Sequence, residues 1–273
     1  MERIGALVYR LHIKDTHAFH PGGTNIYFVG DPDEEMILVD TGEHDRQWTG
    51  DILDAYRELG KPQMTAIVVT HGHGDHIGGL DRLHDFIKAP VRCHPKLVNR
   101  LVPVLGEQWV TKVRSRERIR TGGGAVLESR FTPGHVEEHV CFFLLPERIV
   151  FTGDTILGSS TTTVQDLASY MRSLSLIQRF KPAIICGSHG KIVTEAPAWV
   201  AGYIAHRNLR ETQVLAALKE GLTDADQIAR RIYPKNLKKA LRHAAANNVR
   251  QHLTKLEKAG AVKQVPARYV VTG

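Results

Sequence analysis

The feature that most constrains this chain is a short stretch with three imidazoles and a carboxylate, Thr70-His71-Gly72-His73-Gly74-Asp75-His76-Ile77-Gly78-Gly79. It follows the β-branched run Ile67-Val68-Val69, which predicts a buried strand that ends in a loop. Side chains two apart point the same way in an extended loop, so His71 and His73 can bind one ion and Asp75 and His76 a second. Imidazole and carboxylate donors without a thiolate suit Zn²⁺ or a similar divalent ion. The alternative is a His-rich surface turn.

Four more candidate residues follow short apolar runs elsewhere in the chain: Asp40, His135, Asp154 and His189. Most have a glycine nearby, as is typical of strands that turn sharply into loops. An α/β protein builds a site where several strands deliver polar side chains to one edge of a sheet. Singly, His135 or His189 is more typical of a structural histidine. Together with the stretch at 71–76, these residues predict a metal centre.

The length of 273 residues fits one large α/β domain with a smaller appendage, and a core of that size needs no disulfides. No run of about 18 apolar residues is present, so we expect no transmembrane segment and no membrane partner. Cys93, Cys141 and Cys186 are odd in number and form no paired motif. They predict reduced thiols on buried strands and a cytoplasmic protein, with the mitochondrial matrix as the alternative compartment.

Charge is distributed unevenly along the chain. Residues 201–273 contain 14 Lys and Arg against 5 Asp and Glu, whereas residues 1–200 contain 22 against 24. The tail therefore accounts for the formal net charge of +7. A basic appendage on a metal-binding domain indicates a polyanionic partner, and the alternative is a solvated helical surface.

Apolar periodicity and turn residues divide the first part of the chain into strands and helices. The predicted strands cover 4–13, 25–29, 36–39, 65–69, 91–93, 125–131, 139–145, 148–151 and 183–186. The predicted helices cover 48–59, 77–88, 95–105 and 164–180, and the segment 106–124 has no clear pattern. We predict a catalytic domain at 1–194 and a second, basic module at 195–273.

The tail predicts helices at 211–220, 224–232 and 236–259, followed by a hairpin at 262–271. Thr223 is the expected N-cap of the second helix. One apolar stripe of the third helix comprises Leu237, Leu241, Ala245, Val249, Leu253 and Leu256. This order resembles a winged-helix module, in which phosphate contacts would come from Lys235, Lys238, Lys239 and Arg242. Alternatively, the module packs on the catalytic domain and closes its cleft, and both roles are compatible.

These motifs resemble the metallo-β-lactamase superfamily: Asp40 after a buried strand, His71-x-His73-x-Asp75-His76, His135 in Thr-Pro-Gly-His, and Asp154 with His189. The resemblance implies an α/β fold, the αββα sandwich, here with a C-terminal winged-helix-like helical module. It also implies two zinc sites, one formed by His71, His73 and His135 and the other by Asp75, His76 and His189. Asp154 would bridge the ions, and Asp40 would orient a ligand rather than bind metal.

The resemblance extends to one branch of this superfamily. β-Lactamases of the commonest dinuclear type have Cys where Asp154 stands, so antibiotic hydrolysis is not expected. The segments 154–158 and 161–163 and the basic tail look like the branch that contains β-lactamase-like protein 2. That branch includes metal-dependent endoribonucleases and relatives that act on thioesters. The short loop at 17–23 departs from it and would alter the rim of the active site.

The sequence therefore predicts a hydrolase with two Zn²⁺ or other divalent ions per chain, about 3.5–4 Å apart. In this mechanism a metal-bridging hydroxide attacks the substrate, and the catalytic Asp75 orients it as well as binding metal. The favoured activity is endoribonuclease cleavage of single-stranded RNA. The alternative substrate is a small thioester or ester, as for glyoxalase II, with the basic tail holding a phosphate-bearing thiol. A non-enzymatic nucleic-acid-binding protein with a vestigial metal fold is the third hypothesis.

Overall fold

The computed structural model describes residues 1–15, 17, 20–265 and 268–271, the last four and residues 240 and 265 by their backbone alone. The strands are β1 Glu2–Arg3, β2 Val8–Ile13, β3 Thr24–Gly30, β4 Glu35–Val39, β5 Gln63–Val68, β6 Val91–Cys93, β7 Val110–Lys112, β8 Arg118–Arg120, β9 Val126–Phe131, β10 Val140–Leu144, β11 Ile149–Gly153, β12 Ile184–Gly187, β13 Val262–Val265 and β14 Arg268–Val271. The α-helices are α1 Arg46–Glu58, α2 Gly74–Ile77, α3 Leu80–Phe86, α4 Val98–Leu105, α5 Leu167–Phe180, α6 Ala196–Lys219, α7 Ala225–Ile232 and α8 Lys239–Lys258.

Two mixed sheets form the body of the molecule. The first runs in sequence order from β1 to β7, antiparallel as far as β4 and parallel beyond it. The second runs in the order β12-β11-β10-β9-β8, in which only the pair of β11 and β12 is parallel among the described strands. Strands β13 and β14 form a separate antiparallel pair after α8.

Alternating side chains pack these layers together. In β10, Phe142 and Leu144 lie between the two sheets, whereas Cys141 and Phe143 face the outer helices. Helices α1, α3 and α4 cover the outer face of the first sheet. Helix α5 and the first half of α6 cover the outer face of the second. This helix–sheet–sheet–helix order confirms the predicted αββα sandwich.

A further apolar cluster lies in the C-terminal module, where the second half of α6 packs with α7, α8 and β13. Helix α6 therefore contributes to two cores. Val200 and Tyr203 pack near the second sheet, whereas Val214 and Leu218 pack inside the module. The single stripe predicted for the third tail helix is divided too: Val249 and Leu253 are buried in the module, but Leu241 lines a cleft.

Several details of the element prediction were wrong. The helix expected at 77–88 is divided into α2 and α3, and the helix expected at 211–220 already begins at Ala196. Asp224, not Thr223, caps α7, because its carboxylate accepts the backbone N–H groups of the first turn. The unassigned segment 106–124 contains β7 and β8. The turn expected at 266–267 lies outside the described residues, although β13 and β14 flank it.

The three cysteines are buried free thiols on β6, β10 and β12, as predicted. Among the described residues, none of the helices combines the length and the apolar character that a bilayer crossing demands.

Candidate metal centre

The candidate ligands follow the ends of β5, β9, β11 and β12; Asp75 and His76 lie in the short helix α2, and the others lie in loops. Strand β11 ends at Gly153, which has a φ of +48°. A Cβ atom there would lie 2.6 Å from Nε2 of His139, so only glycine allows the turn that presents Asp154. The strands of both sheets thus deliver their polar residues to one place, as predicted.

Four side chains form the first cluster: His71, His73, His135 and Asp154. Nε2 of His71 and Nε2 of His135 lie 3.0 Å and 3.1 Å from Nδ1 of His73. Oδ2 of Asp154 lies 3.6 Å from Nε2 of His135. The four donor atoms all lie within 4.8 Å of one another, so this group could hold one metal ion.

The second cluster contains Asp75, His76 and His189 and shares Asp154 with the first. Oδ1 of Asp154 lies 3.6 Å from Nε2 of His76 and 3.4 Å from Nε2 of His189. Oδ2 of Asp75 lies 3.1 Å from each of the same two nitrogens. Asp154 thus directs one oxygen towards each cluster, which is the arrangement expected of a bridging carboxylate.

The outward nitrogens of these imidazoles have partners of their own. Nδ1 of His135 donates to the carbonyl of Thr163 at 2.8 Å, and Nδ1 of His189 lies 3.3 Å from the carbonyl of Gly23. Nδ1 of His76 lies 2.8 Å from Oδ2 of Asp40. A proton held on the outward nitrogen leaves the inward one free to bind metal. Asp40 therefore lies behind His76, on the side of the ring opposite the cluster.

Three polar atoms at the centre are buried without a hydrogen-bond partner: Nε2 of His76, Nε2 of His189 and Oδ1 of Asp154. Buried polar atoms in folded proteins are rarely unpaired. A cation between them would satisfy all three. Borderline imidazole donors combined with hard carboxylate donors fit Zn²⁺ or another divalent transition metal. The residues present therefore fit the metal ions that this fold implies.

The electrostatics of the cluster favour the metal-binding protonation states of His71, His73 and Asp75. At His76, burial is outweighed by Asp75 and Asp40, which raise the pKa of that imidazole well above its usual range, so a metal ion there would displace a proton. Burial, reinforced by the neighbouring imidazoles, holds the pKa of His71 well below its usual range and lowers the pKa of His73. Burial alone would favour neutral Asp75, but His76 and His189 outweigh it and hold the pKa of that carboxyl well below its usual range. Neutral imidazole and ionised carboxylate are the forms that bind metal.

Sequence reasoning missed two histidines at this centre. His139, assigned to the start of a strand, accepts the backbone N–H of Asp154 on Nε2 at 3.2 Å. His20, assigned to a loop, places Nε2 3.5 Å from Oδ2 of Asp75. Neither belongs to a spaced motif, so the only signal was the unusual number of histidines in the chain, 15.

A cleft of about 590 Å³ opens above the two clusters. Its floor includes Asp75, Asp154 and the Thr161-Thr162-Thr163 segment. Its opposite wall, which we call the roof, comes from the C-terminal module and consists of Tyr233, Leu237, Leu241, Ala244, Ala245 and Asn248. The module therefore packs over the candidate metal centre, and it presents mainly apolar side chains to it.

The four predicted phosphate-contacting residues, Lys235, Lys238, Lys239 and Arg242, are exposed. Lys235 and Arg242 line a second pocket of about 290 Å³ together with Arg230. This pocket adjoins the cleft, because Tyr233, Leu237 and Ala245 line both. Lys238 and Lys239 do not line either space.

Comparison with known families agrees with this geometry. A profile described as "Metallo-beta-lactamase superfamily" matches residues 20–189. The chain belongs to the metallo-β-lactamase superfamily. A second profile, "Beta-lactamase associated winged helix domain", matches residues 225–268 and confirms the predicted module.

Relatives in this superfamily have different names. A "Beta-lactamase-like protein 2 homolog" from Caenorhabditis elegans is 33% identical and covers 96% of this chain and 88% of its own. An "Atrochrysone carboxyl ACP thioesterase" from Aspergillus chevalieri is 34% identical over 81% of this chain and 68% of its own. A "Lactamase-like protein adaB" from Aspergillus niger is 35% identical over 72% of this chain, which spans only 59% of that relative's length.

Solved structures share the fold across both parts of the chain. A metallo-β-lactamase family protein from Thermus thermophilus has a TM-score of 0.78 at 22% identity and covers 97% of this chain and 98% of its own. A β-lactamase domain protein from Burkholderia ambifaria has a TM-score of 0.82 at 19% identity and covers 99% and 93%.

Proposed function

We propose that this protein is a metal-dependent hydrolase that cleaves an acyl thioester whose thiol half carries phosphate. The metal ions would be held by the seven predicted ligands: His71, His73, Asp75, His76, His135, Asp154 and His189. When bound, such ions polarise the bond under attack and lower the pKa of water. The observation that carries the proposal is the apolar roof that the C-terminal module places opposite these residues.

The roof favours a substrate that is apolar next to the reacting bond. Leu237, Leu241 and the ring of Tyr233 offer contact area to an acyl chain, and the six roof residues include no Lys or Arg that would form an ion pair with a phosphate. Phosphodiesters carry a charge at the scissile group itself and at every neighbouring nucleotide. An acyl group within the cleft would exclude water from Asp75 and Asp154, which strengthens the electrostatic interactions of those carboxylates.

The adjoining pocket favours an anionic group farther from the reacting bond. Arg230, Lys235 and Arg242 are exposed and form no ion pair within the described part of the chain. In this arrangement the acyl group of the substrate occupies the cleft, and the phosphate on its thiol half binds in the adjoining pocket. The relative from A. chevalieri is named an "Atrochrysone carboxyl ACP thioesterase". That name supports this substrate class.

The second candidate is the endoribonuclease favoured by the sequence. The observation that supports it is the exposed cationic group Lys235, Lys238, Lys239 and Arg242, which lies beside the cleft and can contact phosphates without reading bases. Single-stranded RNA would then cross the outer face of the module and reach the centre through the mouth of the cleft.

One experiment separates the two candidates. Zinc-loaded protein is incubated with a series of acyl-phosphopantetheine thioesters of increasing acyl length and, separately, with labelled single-stranded RNA. We expect thioester hydrolysis that increases with acyl length and is abolished in Asp154→Ala. RNA cleavage without thioester hydrolysis would replace the first candidate by the second. RNA cleavage that persists in Asp154→Ala would identify a contaminating nuclease.

The roof is tested with a matched pair of leucines. Leu241→Asp places a charge in the cleft and should raise KM for the longest acyl chain about tenfold or more. Leu209→Asp, at a side chain that is 55% exposed on α6, should leave KM unchanged. An equal change in KM in both variants would show that the roof does not bind the acyl chain.

A further inference from the structure

His20 is a buried imidazole that the seven predicted ligands leave without a role. It lies in the loop between β2 and β3 and is 7% exposed. Its Nε2 atom lies 3.5 Å from Oδ2 of Asp75. The ligand atoms of His20, Asp75 and His189 all lie within 4.8 Å of one another. His20 is therefore as close to this group as the predicted ligands are to each other.

The other side of the His20 ring is oriented by a carboxylate. Nδ1 of His20 lies 3.3 Å from Oδ1 of Asp15, whose second oxygen accepts the hydroxyl of Thr24 at 3.0 Å. A carboxylate behind an imidazole is the usual support of a metal-binding histidine, because it fixes the ring and makes the opposite nitrogen more basic. His76 has a tighter form of this support, because its Nδ1 forms a 2.8 Å hydrogen bond with Asp40, whereas His20 and Asp15 lie at ion-pair distance without an aligned hydrogen bond.

The His20 ring also lies parallel to the His189 ring, with an interplanar angle of 2° and a centroid distance of 4.9 Å. Two parallel imidazoles can direct their Nε2 atoms to the same side. The Thr24 hydroxyl that donates to Asp15 also lies 3.2 Å from Nδ1 of His189. One small network thus positions both rings.

A packing role explains these observations less well. A side chain that only filled space beside His189 would be better apolar, because a buried imidazole without a good hydrogen bond is unfavourable. Within the part of the chain that the structure describes, Nδ1 of His20 has no aligned hydrogen-bond partner, and its Nε2 faces the Asp75 carboxylate, which already lies 3.1 Å from two other imidazoles. Convergence of three imidazoles on one carboxylate is typical of a cation site.

We infer that His20 is an additional ligand for the ion bound by Asp75 and His189, an inference that rests on the metal centre proposed above. With His20, two sets of donors share His189: His20, Asp75 and His189 form one set, and His76, Asp154 and His189 form the other. An ion that draws on both sets has five protein donors instead of four. Zinc in proteins is usually four-coordinate. Five protein donors favour an ion that accepts a higher coordination number, such as Mn²⁺, Fe²⁺ or Co²⁺. The two positions would then differ in metal preference.

The test uses the full-length protein loaded with Co²⁺, whose visible absorption per ion weakens as its coordination number rises. His20→Ala should weaken the binding of one of the two ions at least tenfold in competition with a chelator, and strengthen the absorption of that ion. The other ion should be unaffected. His17→Ala is the matched control, since His17 lies in the same loop, is exposed, and has its ring centroid 4.6 Å from that of His20 at an interplanar angle of 44°.

A measurement on the unaltered protein covers the case in which His20→Ala does not fold. With spin-active cadmium in place of zinc, a scalar coupling between cadmium and Nε2 of His20 should be observed by NMR. Absence of that coupling, or unchanged affinity and absorption in folded His20→Ala, would overturn the inference alone. Failure of the unaltered protein to bind two ions would overturn the proposed metal centre instead.

Discussion

Asp40 shows how one residue away from the substrate can control the metal centre. Its side chain accepts the backbone N–H and the hydroxyl of Thr70, each at 2.8 Å, and also contacts Nδ1 of His76. Its φ of +60° is uncommon for a residue with a side chain, so the backbone there is strained. Such strain is tolerated where the position of a carboxylate is important for function.

We expect Asp40→Asn to lower the affinity for one metal ion about 10–100-fold, because the amide supports the His76 imidazole less strongly than the carboxylate does. Metal content after equilibrium dialysis measures this. Asp45→Asn is the control: Asp45 caps α1 through Oδ1, so any effect should be on stability and not on metal. Equal metal loss in both variants would show that the effect is not specific to Asp40.

His252 on α8 predicts a pH dependence of stability. Burial, followed by the nearby Arg207 charge, lowers the pKa of His252 to about 4. Glu211 opposes this shift, and Lys255 adds to it. Since the unfolded chain has a pKa near 6.5, it binds the proton first as the pH falls. The stabilisation is complete above about pH 6.5 and is lost as the pH falls towards 4, by about 3 kcal/mol.

Urea unfolding at about pH 7 and about pH 5 tests this. The unaltered protein should lose more stability between the two conditions than His252→Gln, which has no proton to bind. The loss of stability in His252→Gln is subtracted from the loss in the unaltered protein. This subtraction removes the contribution of the carboxyl groups, which both proteins share. Equal losses would mean that His252 has a normal pKa in the folded protein.

At the scale of elements, the sequence predicted most strands but not where α2 ends and α3 begins. The periodicity continues through Gly78 and Gly79, so nothing local indicates a break. The cause is tertiary: a Cβ atom at Gly79 would lie 2.3 Å from the carbonyl oxygen of Thr41. The chain must pass that close to the loop after β4 for Asp40 and His76 to meet. Propensity alone cannot reveal such an approach.

Gly79→Ala should therefore destabilise the protein by about 1–3 kcal/mol, because the backbone of Thr41 must move. Gly202→Ala is the matched change in α6, where a Cβ atom would have no neighbour within 4 Å. It should stabilise the protein by about 0.5–1 kcal/mol, as expected for alanine in an open helix interior. Chemical unfolding of both variants checks the signs. A neutral Gly79→Ala would show that the loop at Thr41 is not tightly packed.

The start of α6 was missed for a different reason. Its buried residues change partner along the helix, from Val200 and Tyr203 near the second sheet to Val214 and Leu218 in the module. Because the two short apolar stripes lie on different faces of α6, the helix has no single 3.6-residue hydrophobic period that a sequence pattern could reveal. The domain division at residue 194 stays a prediction, and α6 starts two residues later and joins both cores.

At the scale of the whole molecule, the sequence predicted a metal centre and a basic module, and it left open whether the module binds phosphates, closes the cleft or does both. The charge distribution in the sequence identified Lys235 and Arg242 as possible phosphate contacts. It could not show that Leu237 and Leu241 line the cleft and form part of its roof. The sequence predicted one apolar stripe along the third tail helix, without specifying what each part of that stripe would contact. The first turns of α8 line the cleft, and only a tertiary structure shows that.

The two substrate candidates predict different effects of charge on this face. For a phosphate-bearing thioester, Arg242→Glu should raise KM about tenfold, because Arg242 lines the pocket. Lys239→Glu, one turn earlier on α8 and outside the pocket, should have little effect. The comparison of phosphorylated and unphosphorylated acyl-pantetheine thioesters measures the phosphate contribution. For RNA, both substitutions should weaken binding about equally and reduce its salt dependence.

The roof and the floor of the cleft come from separate stretches of chain. Every candidate metal ligand precedes residue 190, and every roof residue follows residue 230. Mutations in one stretch can therefore accumulate without disturbing the other. A change in what the cleft accepts therefore needs substitutions only between residues 233 and 248, while every candidate metal ligand stays as it is.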